Sequence, residues 1–141
     1  MQKKELSEIH RICPAEKIKV IPLGFDLTPF YTNTEAKRKE FRSKWNIKEN
    51  EVAIGIVGRI VPIKDHVFFI HVIERVLKKT SKKIRVFIVG DGEERINIQA
   101  LISKKKLSYS SNSTPALFQF TSWIKSVDEV NAGMDIICLT S

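Results

Sequence analysis

Four short runs of mainly apolar residues recur along the chain. They lie at 52–57 (VAIGIV), 86–89 (VFIV), 117–120 (LFQF) and 136–139 (IICL). Runs of this kind, without regular polar alternation, are typical of strands that are covered on both faces, as in a parallel sheet. A fifth run, at 17–21 (KIKVI), predicts another short strand that ends before Pro22.

Amphipathic stretches between these runs predict helices. Phe41 and Trp45 are spaced i,i+4 and share one face of a predicted helix over 36–45. Asp65 is a candidate N-cap for a helix that ends near residue 79. The residues expected on the buried stripe of that helix are Phe69, Val72, Ile73 and Val76.

Two further helices complete an alternation of strands and helices. One is expected to begin at Glu93 and Glu94, whose charges suit a positive helix start, and the other at Ser126 or Asp128. This alternation predicts an α/β fold with a parallel sheet and right-handed crossovers. The polar stretch at 108–115 (SYSSNSTP) predicts a loop between a helix and a strand.

The size and composition of the chain exclude several classes of protein. Its 141 residues suffice for one domain of ordinary size, and no apolar run approaches the roughly 20 residues of a membrane span. The opening residues lack the apolar stretch of a secretory signal. Cys13 and Cys138 have no disulfide-scaffold or metal-ligand spacing, which favours a reducing compartment such as the cytoplasm.

The formal net charge is +8, and its distribution bears on the partners of the protein. Lysines at 78–83 and 104–106 follow predicted helices and suit their negative ends. A second basic group surrounds Phe41 and Trp45, and it consists of Lys37, Arg38, Lys39, Arg42, Lys44 and Lys48. This group either lies on a solvated helix face or rests on an anionic membrane, so peripheral membrane contact is an open alternative. No nucleic-acid partner is expected, because no recognised binding motif accompanies the basic residues.

The stretch 57–66 (VGRIVPIKDH) carries the residues best suited to bind an anion. A strand ends at Gly58, a loop follows, and a helix opens at Asp65. Ligands of open parallel sheets bind at the carboxyl ends of the strands, where Arg59 and Lys64 are expected beside a helix N-terminus. Two cations and a helix dipole suit a diphosphate, and the alternative is an ordinary surface loop. The stretch contains neither a Walker loop nor a GxGxxG motif.

A glycine-containing turn follows the next predicted strand. Gly90 and Gly92 permit a tight strand-to-helix turn and a close backbone approach to a ligand. Asp91, between them, either takes part in binding or closes the turn.

Five motifs, taken in order, carry a family resemblance. They are VIPLGFD at 20–26, VGR to KD at 57–65, VGDG at 89–92, FTSW to VDEV at 120–130, and MDIICLTS at 134–141. Over residues 17–141 the chain resembles the C-terminal half of a family 4 glycosyltransferase of the two-domain GT-B type. The resemblance implies a Rossmann-like domain that binds a nucleotide-sugar donor, UDP- or GDP-linked, for retaining transfer of a hexose to a glycan or lipid-linked acceptor.

The resemblance also implies roles for individual residues. Arg59 and Lys64 match the catalytic cations that neutralise the donor diphosphate, and preorganised positive charge there lowers the barrier to departure of the nucleotide. The base-binding loop matches Ser122, Trp123 and Ile124, although Trp123 fits a packing role equally well. No metal or other cofactor is expected, because the sequence has no acidic cluster suited to a metal. The implied donor-binding residues are Gly58, Arg59, Lys64, Gly90, Asp91, Trp123 and Ile124.

The chain departs from the family pattern in several places. Residues 1–16 are expected to be a helix and linker from an N-terminal domain, and 17–141 to be a partial donor-binding domain that stops before the family's two-glutamate segment. Alone, it is expected to be inactive. Leu23 stands where the family often has Asn, and His66 and His71 match no catalytic histidine, so both are expected to be structural or exposed. The alternative function is a non-enzymatic nucleotide-binding or membrane- or partner-docking module.

Overall fold

A computed structural model describes residues 2–141 as an α/β fold on one parallel sheet. The strands are β1 (Glu51–Val57), β2 (Lys83–Val89), β3 (Tyr109–Ser110), β4 (Phe118–Ser122) and β5 (Ile136–Cys138). Their order in the sheet is β3-β4-β2-β1-β5, and each neighbouring pair is parallel. The predicted Rossmann-like sheet is therefore confirmed.

Helices lie on both sides of this sheet. Within residues 2–141 they are α1 (Gln2–Lys4), α2 (Thr28–Tyr31), α3 (Thr34–Lys44), α4 (His66–Leu77), α5 (Arg95–Lys104) and α6 (Val127–Gly133). A π-helical turn spans Glu5–Ile9, and 3-10 turns span Ala15–Lys17 and Pro62–Lys64. Helices α4, α5 and α6 follow β1, β2 and β4, so the predicted alternation is confirmed.

Two apolar clusters fill the two faces of the sheet. Successive side chains of a strand point to opposite faces. Accordingly, Ile54 and Ile56 of β1 pack in the cluster formed with α4 and α5, whereas Ala53 packs in the cluster formed with α3 and α6. Both faces of β1, β2 and β4 are covered, which explains why their central residues are mainly apolar rather than alternating. Arg85 and Gln119 are buried polar exceptions.

Helix α4 begins as predicted but buries a partly different stripe. The Asp65 carboxylate accepts a hydrogen bond from the Phe68 backbone N–H at 3.0 Å and caps the helix. The predicted stripe is wrong at Val72, which is 37% exposed, and it omits Ile70, which is fully buried. The reason is that the buried face follows the i, i+3, i+4, i+7 series that starts at His66.

The strand predicted over 17–21 is not formed. A 3-10 turn ends at Lys17, and residues 18–27 have no regular secondary structure. Val20 and Ile21 are 71% and 84% exposed. Their β-branched side chains favour an extended backbone, but a strand also needs a neighbour that completes its hydrogen-bond ladder. Conversely, the predicted loop at 108–115 contains the short edge strand β3, which pairs with β4.

The basic helix α3 is fastened to the rest of the domain by ion pairs. Arg38 and Arg42 contact the Asp135 carboxylate at 2.6 and 3.1 Å, and Lys37 contacts Asp128 at 2.8 Å. Three cations of the predicted solvated or membrane-facing group are therefore paired within the chain. No helix of the described residues is long and apolar enough to cross a bilayer.

Candidate functional site

The carboxyl ends of β1, β2, β4 and β5 lie along one edge of the sheet, because these strands are parallel. Each predicted site residue lies on a segment that leaves this edge. The segments are 58–65 after β1, 90–94 after β2 and 123–126 after β4. The topology thus brings together residues that are up to 66 positions apart in the sequence, from Gly58 to Ile124.

Arg59 is held at this edge by its neighbours. Gly58 leaves β1 with φ +151° and donates its N–H to the Val89 carbonyl at 2.9 Å. Ile60, on the other side, is fully buried and donates its N–H to the Asp91 carbonyl at 3.0 Å. The Arg59 side chain is exposed and makes no hydrogen bond or ion pair with residues 2–141. Its guanidinium is therefore available to an anion.

Lys64 lies at the N-terminus of α4, at the end of a 3-10 turn. Its stem crosses close to the end of β1, because a Cβ added at Gly58 would lie 3.8 Å from Lys64 Cε. The Lys64 Nζ lies 3.3 Å from Ser141 Oγ, and the Thr140 hydroxyl donates to the Lys64 carbonyl at 2.6 Å. The chain after β5 therefore fixes the turn that carries this cation.

The two glycines of the turn after β2 are required by neighbouring backbone. A Cβ at Gly90, where φ is +138°, would lie 2.0 Å from the Gly58 carbonyl oxygen. A Cβ at Gly92 would lie 2.3 Å from the Ile60 carbonyl oxygen. The backbone of the turn after β2 therefore packs directly on the backbone of the loop after β1. This contact holds the two predicted donor-binding loops together.

Asp91 is bonded on both carboxylate oxygens. Its Oδ1 accepts from the Gly92 N–H at 2.9 Å, and its Oδ2 accepts from Arg95 Nη1 at 2.6 Å and from Ser122 Oγ at 3.0 Å. The Gly92 hydrogen bond, with those from Ser122 and Arg95, lowers the pKa of Asp91 despite partial burial. The carboxylate is therefore charged at neutral pH and closes the turn, one of the two roles that the sequence suggested.

The loop after β4 presents Trp123 at the same edge. Trp123 is 61% exposed, so it is not a core packing residue of the described chain. Ile124, which follows it, packs against the apolar cluster of α3 and α6. Ser122 has φ +58°, and the pairing of β2 with β4 shifts in register just before it. This irregularity turns the chain so that Trp123 leaves the sheet.

His66 is a buried residue that sequence analysis described only as structural or exposed. It is 3% exposed, and neither ring nitrogen has a hydrogen-bond partner among the described residues. Burial lowers the pKa of His66; Asp65 opposes this shift and Lys64 adds to it. His71, by contrast, is half exposed and lies 3.9 Å from Glu74. His66 is therefore part of the buried face of α4, and His71 is on the surface.

Arg95 and Thr140 are edge residues that sequence analysis missed. The position of Arg95 four residues after Asp91, on the same side of a helix start, was the available signal. Thr140 gave no such signal, because its partner in the turn after β1 is 76 residues away. Within residues 2–141, no three His, Cys, Asp or Glu side chains gather as a metal site would require.

Comparison with known proteins gives one family match. Residues 37–141 match the family model described as "Glycosyl transferases group 1". This match includes every candidate site residue described above. No curated protein sequence matches the chain.

Two glycosyltransferases are among the solved structures that share the fold. One is WaaG, a glycosyltransferase involved in lipopolysaccharide biosynthesis, with a TM-score of 0.66 and 21% identity over 95% of this chain and 34% of that protein. The other is the C-terminal domain of LpcC, a glycosyl transferase group 1 family protein from Francisella tularensis. It has a TM-score of 0.58 and 20% identity over 84% of this chain and 59% of that one. The chain thus spans about a third of the length of the first and under two thirds of the second.

Proposed function

The chain belongs to the glycosyl transferases of group 1, which confirms the family resemblance of its motifs, and we propose that it binds a nucleotide-sugar donor. The protein would transfer a hexose from a UDP- or GDP-linked donor to its acceptor with retention at the anomeric carbon, and the nucleoside diphosphate would be released. The observation that carries this proposal is that Arg59 and Lys64 lie on one loop at the carboxyl end of β1, with Arg59 exposed and Lys64 at the start of α4.

The chemistry of these two cations suits departure of a nucleoside diphosphate. As the bond from the sugar to the diphosphate breaks, negative charge grows on the leaving oxygen. Arg59 is free to form a bidentate contact with a phosphate, and Lys64 adds a point charge held by the chain after β5. The N-terminus of α4 adds its positive dipole end. These groups would stabilise the transition state more than the ground state.

The nucleobase would lie over the loop after β4. The exposed indole of Trp123 offers a face on which a base can stack, worth about 1–3 kcal/mol in comparable sites. Ile124 is partly buried against the apolar cluster of α3 and α6 and would hold the loop in place. Gly58, where an added Cβ would come no closer than 3.8 Å to Lys64 Cε, would let the diphosphate approach the backbone. Gly90 would act by holding this loop in place, because it packs closely on the Gly58 carbonyl.

We propose a glycan or lipid-linked acceptor, supported by the role of WaaG in lipopolysaccharide biosynthesis. We also propose a cytoplasmic or membrane-peripheral location, because both cysteines are free. Membrane docking through α3 as the main function is less well supported, because Lys37, Arg38 and Arg42 are engaged in ion pairs. Residues 1–141 alone are expected to bind donor without transferring sugar, since they span about a third of WaaG.

Isothermal titration of the purified chain with UDP and GDP tests the donor site. We expect weak binding that falls about tenfold in Arg59→Ala and in Lys64→Ala, equivalent to about 1.4 kcal/mol each. Lys83→Ala is the matched control, because Lys83 is an exposed lysine at the opposite end of β2. Undiminished nucleotide binding by both site variants, or an equal loss in the control, would contradict the assignment.

A further inference from the structure

The carboxylate of Asp91 joins three parts of the sheet edge. Through Oδ1 it accepts from the turn after β2, and through Oδ2 it accepts from Arg95 at the start of α5 and from Ser122 at the end of β4. The Asp91 backbone carbonyl also accepts the Ile60 N–H from the loop after β1. These contacts leave the carboxylate bonded within the chain, although the family resemblance places Asp91 among the donor-binding residues.

Ser122 needs such a partner because its backbone conformation is unfavourable. A non-glycine residue with φ +58° carries a steric cost and is retained where surrounding contacts fix it. The Ser122 hydroxyl donates to Asp91, and the Ser122 carbonyl accepts the Gly90 N–H at 2.9 Å. The next residue is Trp123, so the direction of the exposed indole depends on how firmly Ser122 is held.

Arg95 offsets the negative charge of the Asp91 carboxylate. Its guanidinium contacts Asp91 at 2.6 Å, lies 5.4 Å from the centre of the Phe120 ring and donates to Ser111 Oγ at 3.3 Å. An unpaired carboxylate at this edge would repel a diphosphate. The paired carboxylate retains its hydrogen bonds while its charge is offset by Arg95.

We infer that Asp91 is a positioning residue, which acts through Ser122 to aim Trp123 at the nucleobase and does not itself bind the donor. The inference rests on the proposed function, because it takes the base to lie at Trp123. Asp91 would thus link the diphosphate-binding loop after β1 to the base-binding loop after β4.

A double-mutant cycle tests this inference in the full chain with UDP as the probe. Asp91→Asn keeps the size of the side chain but weakens the contacts to Arg95 and Ser122, and Ser122→Ala removes only the hydroxyl. We expect each to weaken UDP binding about five- to tenfold, and the double variant to bind no more weakly than the worse single variant. Glu93→Gln removes one exposed carboxylate from the same turn and is the matched charge control, with unchanged or slightly tighter binding expected.

Fluorescence of Trp123 supplies a second measurement that needs no ligand. Iodide should quench Trp123 in preference to Trp45, because their exposed fractions are 61% and 8%. The fluorescence anisotropy of the component that iodide quenches reports how firmly the Trp123 indole is held. It should be lower than in the unmodified chain, and by the same amount, in Asp91→Asn, in Ser122→Ala and in the double variant.

The outcomes separate this inference from the proposed function. If the two losses of UDP affinity multiply in the double variant, Asp91 does not act through Ser122, and the inference is overturned. Unchanged binding in both single variants would also overturn it. Absence of UDP binding by the unmodified chain would count against the proposed function. In that case equal loss of Trp123 anisotropy in the three variants would still support the link from Asp91 to Trp123, and unchanged anisotropy would refute it.

Discussion

The turn after β2 and the segment at 20–26 contain two of the glycine motifs on which the family resemblance rests, but their surroundings differ. In VGDG at 89–92, a Cβ at Gly90 would collide with the Gly58 carbonyl oxygen at 2.0 Å. In VIPLGFD at 20–26, a Cβ at Gly24 would meet no atom of residues 2–141 within 4 Å. The first motif is fixed by packing within the chain, and the second makes few contacts there.

The same contrast holds for the apolar and acidic residues of the two motifs. Val89 is 3% exposed, whereas Ile21 and Leu23 are 84% and 86% exposed. Asp91 bonds to three parts of the sheet edge, whereas among the described residues Asp26 bonds only to Thr28, two residues further on. A family motif therefore does not by itself indicate that its residues stabilise the domain, and substitutions should separate the two motifs.

Gly90→Ala should give the largest effect. The added methyl group collides with backbone, and an L-residue is strained at φ +138°, so neither side-chain rotation nor a small shift relieves it. We expect a loss of more than about 3 kcal/mol in the free energy of unfolding, measured by urea denaturation.

Gly24→Ala is the control for this change. Open space surrounds Gly24, so the free energy of unfolding should stay within about 0.5 kcal/mol of that of the unmodified chain. Equal destabilisation by the two substitutions would show that the contrast between the motifs does not exist in solution.

The pH dependence of stability should show a smaller difference. The Gly92 hydrogen bond, with those from Ser122 and Arg95, lowers the pKa of Asp91 below its ordinary value of about 3.9. A lowered folded-state pKa means that the ionised group stabilises the fold above the unfolded pKa. That contribution is lost as the pH falls through the folded pKa. The free energy of unfolding of Asp91→Asn should therefore fall less than that of the unmodified chain between about pH 6 and pH 3.

Asp26→Asn is the counterpart in the other motif. Hydrogen bonds from Thr28 lower the pKa of Asp26, but this carboxylate is fully exposed and solvent screens it. Asp26→Asn should therefore change the pH dependence of the free energy of unfolding, measured in urea, less than Asp91→Asn does. A larger change from Asp26→Asn would mean that 20–26 makes contacts in solution that the structure lacks.

Most of the fold follows from local sequence pattern. The apolar runs predicted β1, β2 and β4, because a strand buried on both faces requires apolar residues at successive positions. The run at 136–139 predicted β5 as well, although Ile136 and Ile137 of this edge strand are 49% and 42% exposed. The run at 17–21 has a similar local composition but forms no strand, since a ladder partner is a non-local condition. The exposure of Val72 was likewise decided by which face of α4 meets the sheet.

The site could be predicted only in outline. Arg59 and Lys64 were expected at one edge because the carboxyl ends of parallel strands share it, and the structure places both there. The bond between Asp91 and Ser122 could not be predicted, because it depends on the register shift between β2 and β4 and on the left-handed backbone of Ser122. Such contacts join residues 31 positions apart and leave no periodic signal in the sequence.

Leu23→Ser should give the smallest effect on stability. Leu23 is 86% exposed, so the substitution removes almost no buried apolar area, and burial is what makes a leucine stabilising. The free energy of unfolding in urea should change by less than about 0.5 kcal/mol. Ile88→Val is the matched comparison from a fully buried position in β2, and it should cost about 0.5–1.5 kcal/mol even though it removes only one methylene. If Leu23→Ser lowers the free energy of unfolding by as much as Ile88→Val does, or by more, then Leu23 is packed in solution. The two motifs would then not differ in burial.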